Sequence, residues 1–322
     1  MITYLGGLLL GWGLGANDSA NVFGTAVSSN MVKFRTAVIL IAVFVIIGAC
    51  LQGAEGIETL RKLSAQTKQS SALTVLAAAL TVVLMTGLKL PVSTSQAVVG
   101  SIVGLGLMRN QANLAGLKKV IVCWLGTPIG GMLFCVLFYS MARYLINKYR
   151  PNMFKLDPVL RIGLVICGCY GAYALGANNV ANVSAVFVGR EMFTARTATL
   201  LGAVAIAIGS LTYSKNVMMT VGKGIVKLDS VSALICVLSQ AVTVHIFAIV
   251  GVPVSTSQAI IGAVIGISLI KGIQVINIKT LGRVCCGWLL TPVVAASLAV
   301  LMHLFVCFTP TRVQALCLYF AI

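Results

Sequence analysis

Two short polar phrases occur twice in this 322-residue chain, in the same order and nearly the same distance apart. GANDSANV at 15–22 returns as GANNVANV at 176–183, and PVSTSQ at 91–96 returns unchanged at 253–258. The offsets are 161 and 162 residues. Arg35, Thr36 and Ala37 match Arg196, Thr197 and Ala198, and Trp124, Thr127 and Pro128 match Trp288, Thr291 and Pro292. Such a chain is two copies of one unit, 1–146 and 162–322, joined by the basic stretch 147–161 with Pro151 and Pro158. Each polar phrase lies in apolar surroundings and is therefore a costly feature built twice. In a membrane protein this pattern belongs to transporters whose site sits between two repeats.

The membrane assignment follows from composition. Hydrophobic residues make up 59% of the chain and charged residues 9%, far below the roughly one quarter charged that a soluble domain carries. Ten apolar segments are expected, at about 2–27, 37–57, 71–88, 92–108 and 120–144, then 162–188, 198–219, 231–250, 254–270 and 284–308. The first segment reads as a retained span and not as a cleaved leader. Five crossings per repeat, an odd number, insert the second copy upside down relative to the first. The net charge of +17 resides in loops and span ends, with no basic face interleaved with aromatics. It reads as an orientation signal and an attraction to anionic lipid, not as a nucleic-acid surface. Loops after odd-numbered segments hold 14 Lys and Arg and loops after even-numbered segments hold 9. The bias places the central loop in the cytoplasm of a cell-membrane protein and both termini outside. The ten cysteines include no CxxC pair and read mainly as small hydrophobes, and His245 reads as a packed polar residue or a proton relay.

The phrases carry the chemistry. Asn17, Asp18 and Asn21 fall inside the first span, where an ionised carboxylate is costly unless answered. The glycines around them are expected to let the helix unwind, so that freed carbonyls join the amides and the carboxylate in an oxygen-rich cage for a hard cation. The bland alternative is interhelical packing glue. In PVSTSQ, proline followed by Ser93, Thr94 and Ser95, or by Ser255, Thr256 and Ser257, is a helix-start signal. A helix beginning inside the membrane offers unpaired N–H donors and the positive end of a dipole, a site for an anion. The bland alternative is that each serine cluster caps its own helix.

With both phrases present in both halves, the sequence resembles the inorganic phosphate transporter family, also called PiT, over its whole length. It departs from the usual family pattern at Asn179, commonly aspartate, and at Gln96 and Gln258, where the signature has histidine. The resemblance implies an all-α polytopic fold of two inverted repeats of about five membrane segments, with broken or half-helices at the motifs. It implies import of phosphate coupled to Na+ or H+, with no other cofactor, and a homodimer of prokaryotic type. Carried over by motif, Ser93, Thr94, Ser95, Ser255, Thr256, Ser257, Asp18, Asn21 and Asn182 would hold the anion. Asn17, Asp18, Asn178 and Asn179 would serve the cation. Sulfate is the rival anion, because relatives in the wider family carry it. An anion channel is a more distant reading, and an enzyme using Ser93 or Ser255 lacks a base.

Overall fold

The structure is a computed structural model that describes residues 2–87, 92–188, 192–224, 228–272 and 278–308. The described residues form helices α1 (Ile2–Ser28), α2 (Phe34–Gln52), α3 (Ala54–Arg61), α4 (Lys68–Gly87), α5 (Thr94–Met108) and α6 (Leu114–Tyr149). The second half supplies α7 (Met153–Ser184, followed by a 3-10 turn), α8 (Ala195–Gly224), α9 (Ser230–Ile249), α10 (Thr256–Lys271) and α11 (Ile278–Phe308). Among the described residues seven helices are long and apolar enough to cross a membrane. They do not include α1, which has the length but carries Asn17, Asp18, Ser19 and Asn21. Helices α5 and α10 are apolar but short, at 15 and 16 residues, about 22–24 Å of rise against ~30 Å of hydrocarbon. The protein is an all-α, multi-pass membrane protein.

The two halves pack reciprocally: α1 lies along α8 as α7 lies along α2, and α5 lies on α11 as α10 lies on α6. Close backbone approach fixes these crossings. A Cβ on Gly15 would lie 1.9 Å from the Ile206 carbonyl oxygen, and one on its counterpart Gly176 would lie 2.0 Å from the Val45 oxygen. A Cβ on Gly100 or Gly262 would strike the backbone of Pro292 or Pro128 in the last helix of the opposite repeat. The order of contacts along α1 and α8 gives their direction. Gly7 and Leu8 border one cavity with Leu201 and Gly202, Gly11 meets Ala205, Gly15 meets Ile206 and Ser19 meets Ser210. Helix α8 therefore runs parallel to α1. Helix α2, which turns back after the short connection 29–33, runs opposite to its own counterpart α8.

Two expectations need correcting. The GAN phrases are not unwound: α1 and α7 pass through 15–22 and 176–183 as unbroken helix. Their glycines serve close packing instead. The segment expected at 37–57 breaks at Gly53 into α2 and α3, whereas its counterpart α8 continues for 30 residues. The stretch 147–161, expected as a linker, is helical except for 150–152, where Arg150 adopts a left-handed φ of 43°. Pro91, expected to open the first half-helix, lies outside the described residues.

Candidate functional site

Helix spacing puts Asp18 and Asn21 on one face of α1, and Asn179 and Asn182 on the matching face of α7. The two faces meet. Asp18 and Asn179 hold the same place in their repeats, and Asn179 Nδ2 donates to Asp18 Oδ2 at 2.9 Å. The other carboxylate oxygen accepts from Asn17 Nδ2 at 3.1 Å, and the Thr256 hydroxyl stands beside the carboxylate. Asp18 is 7% exposed and Asn179 2%, so these amides and the hydroxyl stand in for the water that the carboxylate has lost.

The starts of α5 and α10 complete the site. Ser93 and Ser255 are their N-caps, each accepting from the backbone N–H of the glutamine three residues on, at 3.4 Å. These two hydroxyls thus cap their own helices, and Ser255 also pairs with Ser257 at 2.8 Å. Asn21 Nδ2 donates to Thr256 Oγ1 at 3.1 Å, binding α1 to the start of α10. On the other side Asn182 Nδ2 donates to Ser95 Oγ at 2.8 Å, and Ser95 Oγ donates to the Val254 carbonyl at 3.1 Å. The tip of one hairpin is therefore bonded to the tip of the other. Asn178 holds that second tip by both backbone groups of Val254, donating at 2.7 Å and accepting at 2.9 Å. It also donates to Asn179 Oδ1 at 2.6 Å.

The structure thus brings together Asp18, Asn21, Asn178, Asn179, Asn182, Ser95 and Thr256. Asn17 is exposed and, among the described residues, bonds the cluster through Asp18. Thr94 and Ser257 are half-buried, and Thr94 makes no side-chain hydrogen bond among the described residues. Sequence reasoning gave Asn178 to the cation, but its amide is taken up by the Val254 backbone and Asn179.

Other polar partners were missed. Ser19 Oγ donates to the Gly15 carbonyl at 2.5 Å and pairs with Ser210 Oγ at 2.8 Å, across the α1–α8 crossing. His245 bonds Gln52 Oε1 through Nε2 at 2.6 Å and the Tyr170 hydroxyl through Nδ1 at 2.8 Å. It ties α9 to the end of α2 and to α7. The available signal was that Gln52 and Tyr170 are isolated polar groups in apolar runs.

The chemistry of the site is that of a small ionic ligand pair. Unpaired first-turn N–H groups of two facing helices and a ring of hydroxyls suit an oxyanion. Carboxylate and amide oxygens suit a hard cation or a proton. Among the described residues no three His, Cys, Asp or Glu side chains gather, so any cation here would depend on amide, hydroxyl and backbone oxygens beside Asp18.

Comparison with known proteins shows the family and the fold. The phosphate transporter family matches the chain twice, over residues 14–160 and 148–299. The protein named "Putative phosphate permease MJ0630" from Methanocaldococcus jannaschii is 32% identical over 283 residues, covering 88% of this chain and 89% of that one. "Sulfate permease CysP" from Bacillus subtilis is 28% identical over 302 residues, covering 92% and 84%. A solved structure, "The sodium-dependent phosphate transporter", is alike in fold with a TM-score of 0.79 at 22% identity, over 96% of this chain and 99% of that one. By the double match along its length and this identity to a relative, the chain belongs to the phosphate transporter family.

Proposed function

We propose that this protein is a secondary transporter that imports inorganic phosphate by symport with Na+ or H+, through an alternating-access site between two inverted repeats. The observation that carries the reading is the contact of Asp18 with its counterpart Asn179, where the two half-helix starts are bonded tip to tip. A single buried carboxylate gives a protonated anion a hydrogen-bond acceptor and gives a coupling cation its charge partner. The anion is held by Thr256, Ser95, Asn21 and Asn182, with Ser93, Thr94, Ser255 and Ser257 supplying the helix starts. The cation or proton is held at Asp18, with Asn17 and Asn179 around it and Asn178 bracing Asn179. The opposed directions of α2 and α8 support the inverted arrangement.

Whether each hairpin of α4–α5 and α9–α10 reaches the far surface or stops midway, the remaining loops keep their sides. Setting Lys89 aside as a tip residue leaves thirteen Lys and Arg on the side of the central loop against nine opposite. This favours a cytoplasmic central loop in the cell membrane and outward termini. The family resemblance adds a homodimer.

The sulfate reading has a specific support in the similarity to "Sulfate permease CysP". Sulfate keeps no proton at neutral pH and would meet the Asp18 carboxylate as a repulsion, which favours phosphate. Uptake of radiolabelled phosphate and sulfate into proteoliposomes, with and without Na+ and pH gradients, tests the proposal. Phosphate uptake driven by one of the gradients is expected. Sulfate blocking uptake at a lower concentration than phosphate would hand the site to sulfate, and indifference to both gradients would make the protein a channel or uniporter.

A further inference from the structure

Among the buried polar groups without a partner in the described residues, two fall on α1 and α9 at nearly one level of the bundle. Gln240 of α9 is 0% exposed, and neither its Oε1 nor its Nε2 has a hydrogen-bond partner among the described residues. The buried Oγ1 of Thr25 on α1 is likewise unpaired. Thr25 follows Asp18 by seven residues and Asn21 by four, so it continues the stripe of α1 that faces the site, about 10 Å further along the helix. The register of α9 is set at Gly171, on which Val22 of α1 and Ala241 of α9 both close. With α9 running antiparallel to α1, Gln240 lies one residue and Thr25 three residues beyond that level in the same direction, about 3 Å apart in depth. Thr243 faces α6 at Gly130 and Ala241 faces α7 at Gly171. At about 100° per residue Gln240 points between them, toward α1 and α10, which both pack on α9.

The other half of the molecule lacks this feature. The counterparts of Thr25 and Gln240 are Val186 and Ala78, both sealed in one apolar cluster. A buried amide with donor and acceptor both unmet is rare and costly. It asks for a ligand that donates and accepts together. Thr25 lies between Asp18 and the connection 29–33, which shares its side with the central loop in the proposed topology.

We infer that Thr25 and Gln240 form a second station for the transported anion, between the main site and the central-loop side, and that it fits an oxyanion still carrying a proton. Anion oxygens accept from Gln240 Nε2 and the Thr25 hydroxyl, and the anion's O–H donates to Gln240 Oε1. The inference rests on the phosphate reading.

The test compares wild type, Thr25→Val and Gln240→Leu, near-isosteric changes that remove only the polar atoms. Labelled phosphate uptake into proteoliposomes, equilibrium phosphate binding in detergent and thermal stability are measured on each. Uptake should fall about tenfold in Gln240→Leu, the ratio set by one hydrogen bond to a charged group. Phosphate binding should stay within about twofold, a fraction of that energy, and stability should rise as an unpaired amide is removed. Thr25→Val should show the same pattern more weakly, and it provides the answer if the Gln240 variant fails to fold. Wild-type uptake rates in both variants would overturn the station, as would a loss of binding in step with uptake, which would make Gln240 part of the main site. If wild type itself moves no phosphate, the phosphate reading fails on that measurement alone, before any variant is compared.

Discussion

Asp18 is the only carboxylate in the two repeated phrases, and its symmetry counterpart is an amide that donates to it at 2.9 Å. A second aspartate at that place would set two carboxylates within hydrogen-bond distance, and they could not both ionise without a cation or proton between them. Asn179→Asp should therefore make transport depend more steeply on Na+ or on low pH, read as the cation dependence of uptake. Asp18→Asn removes the charge altogether and should abolish gradient-driven accumulation while leaving exchange of bound anion measurable by counterflow. Thr256 accepts from Asn21 Nδ2 and stands beside Asp18. Thr256→Ala should weaken anion affinity by about tenfold in equilibrium binding, the loss of one charge-assisted hydrogen bond. Thr94, which has no side-chain bond of its own among the described residues, should cost less when changed to alanine. Equal losses at the two threonines would mean that the anion binds them symmetrically.

At the scale of helices, packing explains the glycines better than flexibility does. Gly13 and Gly15 lie two residues apart on α1, yet a Cβ at Gly13 meets nothing within 4 Å and one at Gly15 strikes the Ile206 carbonyl oxygen. Gly15→Ala should lower stability by about 1–3 kcal/mol or more through overpacking. Gly13→Ala should be neutral or mildly stabilising, as expected for alanine in a helix interior. Thermal unfolding of the two variants in one detergent compares them directly. The pair also shows where the sequence stops being readable. Apolar runs located the spans, and serine after proline located the starts of α5 and α10, because those signals are local. The missing Cβ at Gly15 fits an unwound helix and a tight crossing equally well. What decides between them is the backbone of α8, some 190 residues away. Gly53 breaks α2 while Gly48, five residues earlier, sits inside it, and nothing in the local sequence separates them. The same holds for Asn178, since an amide that clasps Val254 looks in sequence like an amide that binds an ion.

For the whole molecule, the repeat was legible because its phrases recur in register, and the reciprocal helix pairs follow that register. Orientation across the membrane is a separate matter, and labelling can test it. In a cysteine-free background, Ser29→Cys should react with a membrane-impermeant thiol reagent only from the side of the central loop, and Gln111→Cys only from the other; both positions are exposed at helix connections. Reaction of the two from the same face would break the proposed arrangement. One departure from symmetry then acquires a kinetic meaning. A carrier that changes access by letting its halves trade conformations has two end states of equal energy only when the halves are equal. Here α2 stops at Gln52 and hands over to the short α3, while α8 runs on unbroken to Gly224. Trading places would require the first half to form a continuous helix and the second to form a break, and the two do not cost the same. On the proposed alternating-access reading, the empty carrier therefore has a preferred resting direction, and half-saturation for the anion should differ between the two faces of the membrane even with no gradient applied.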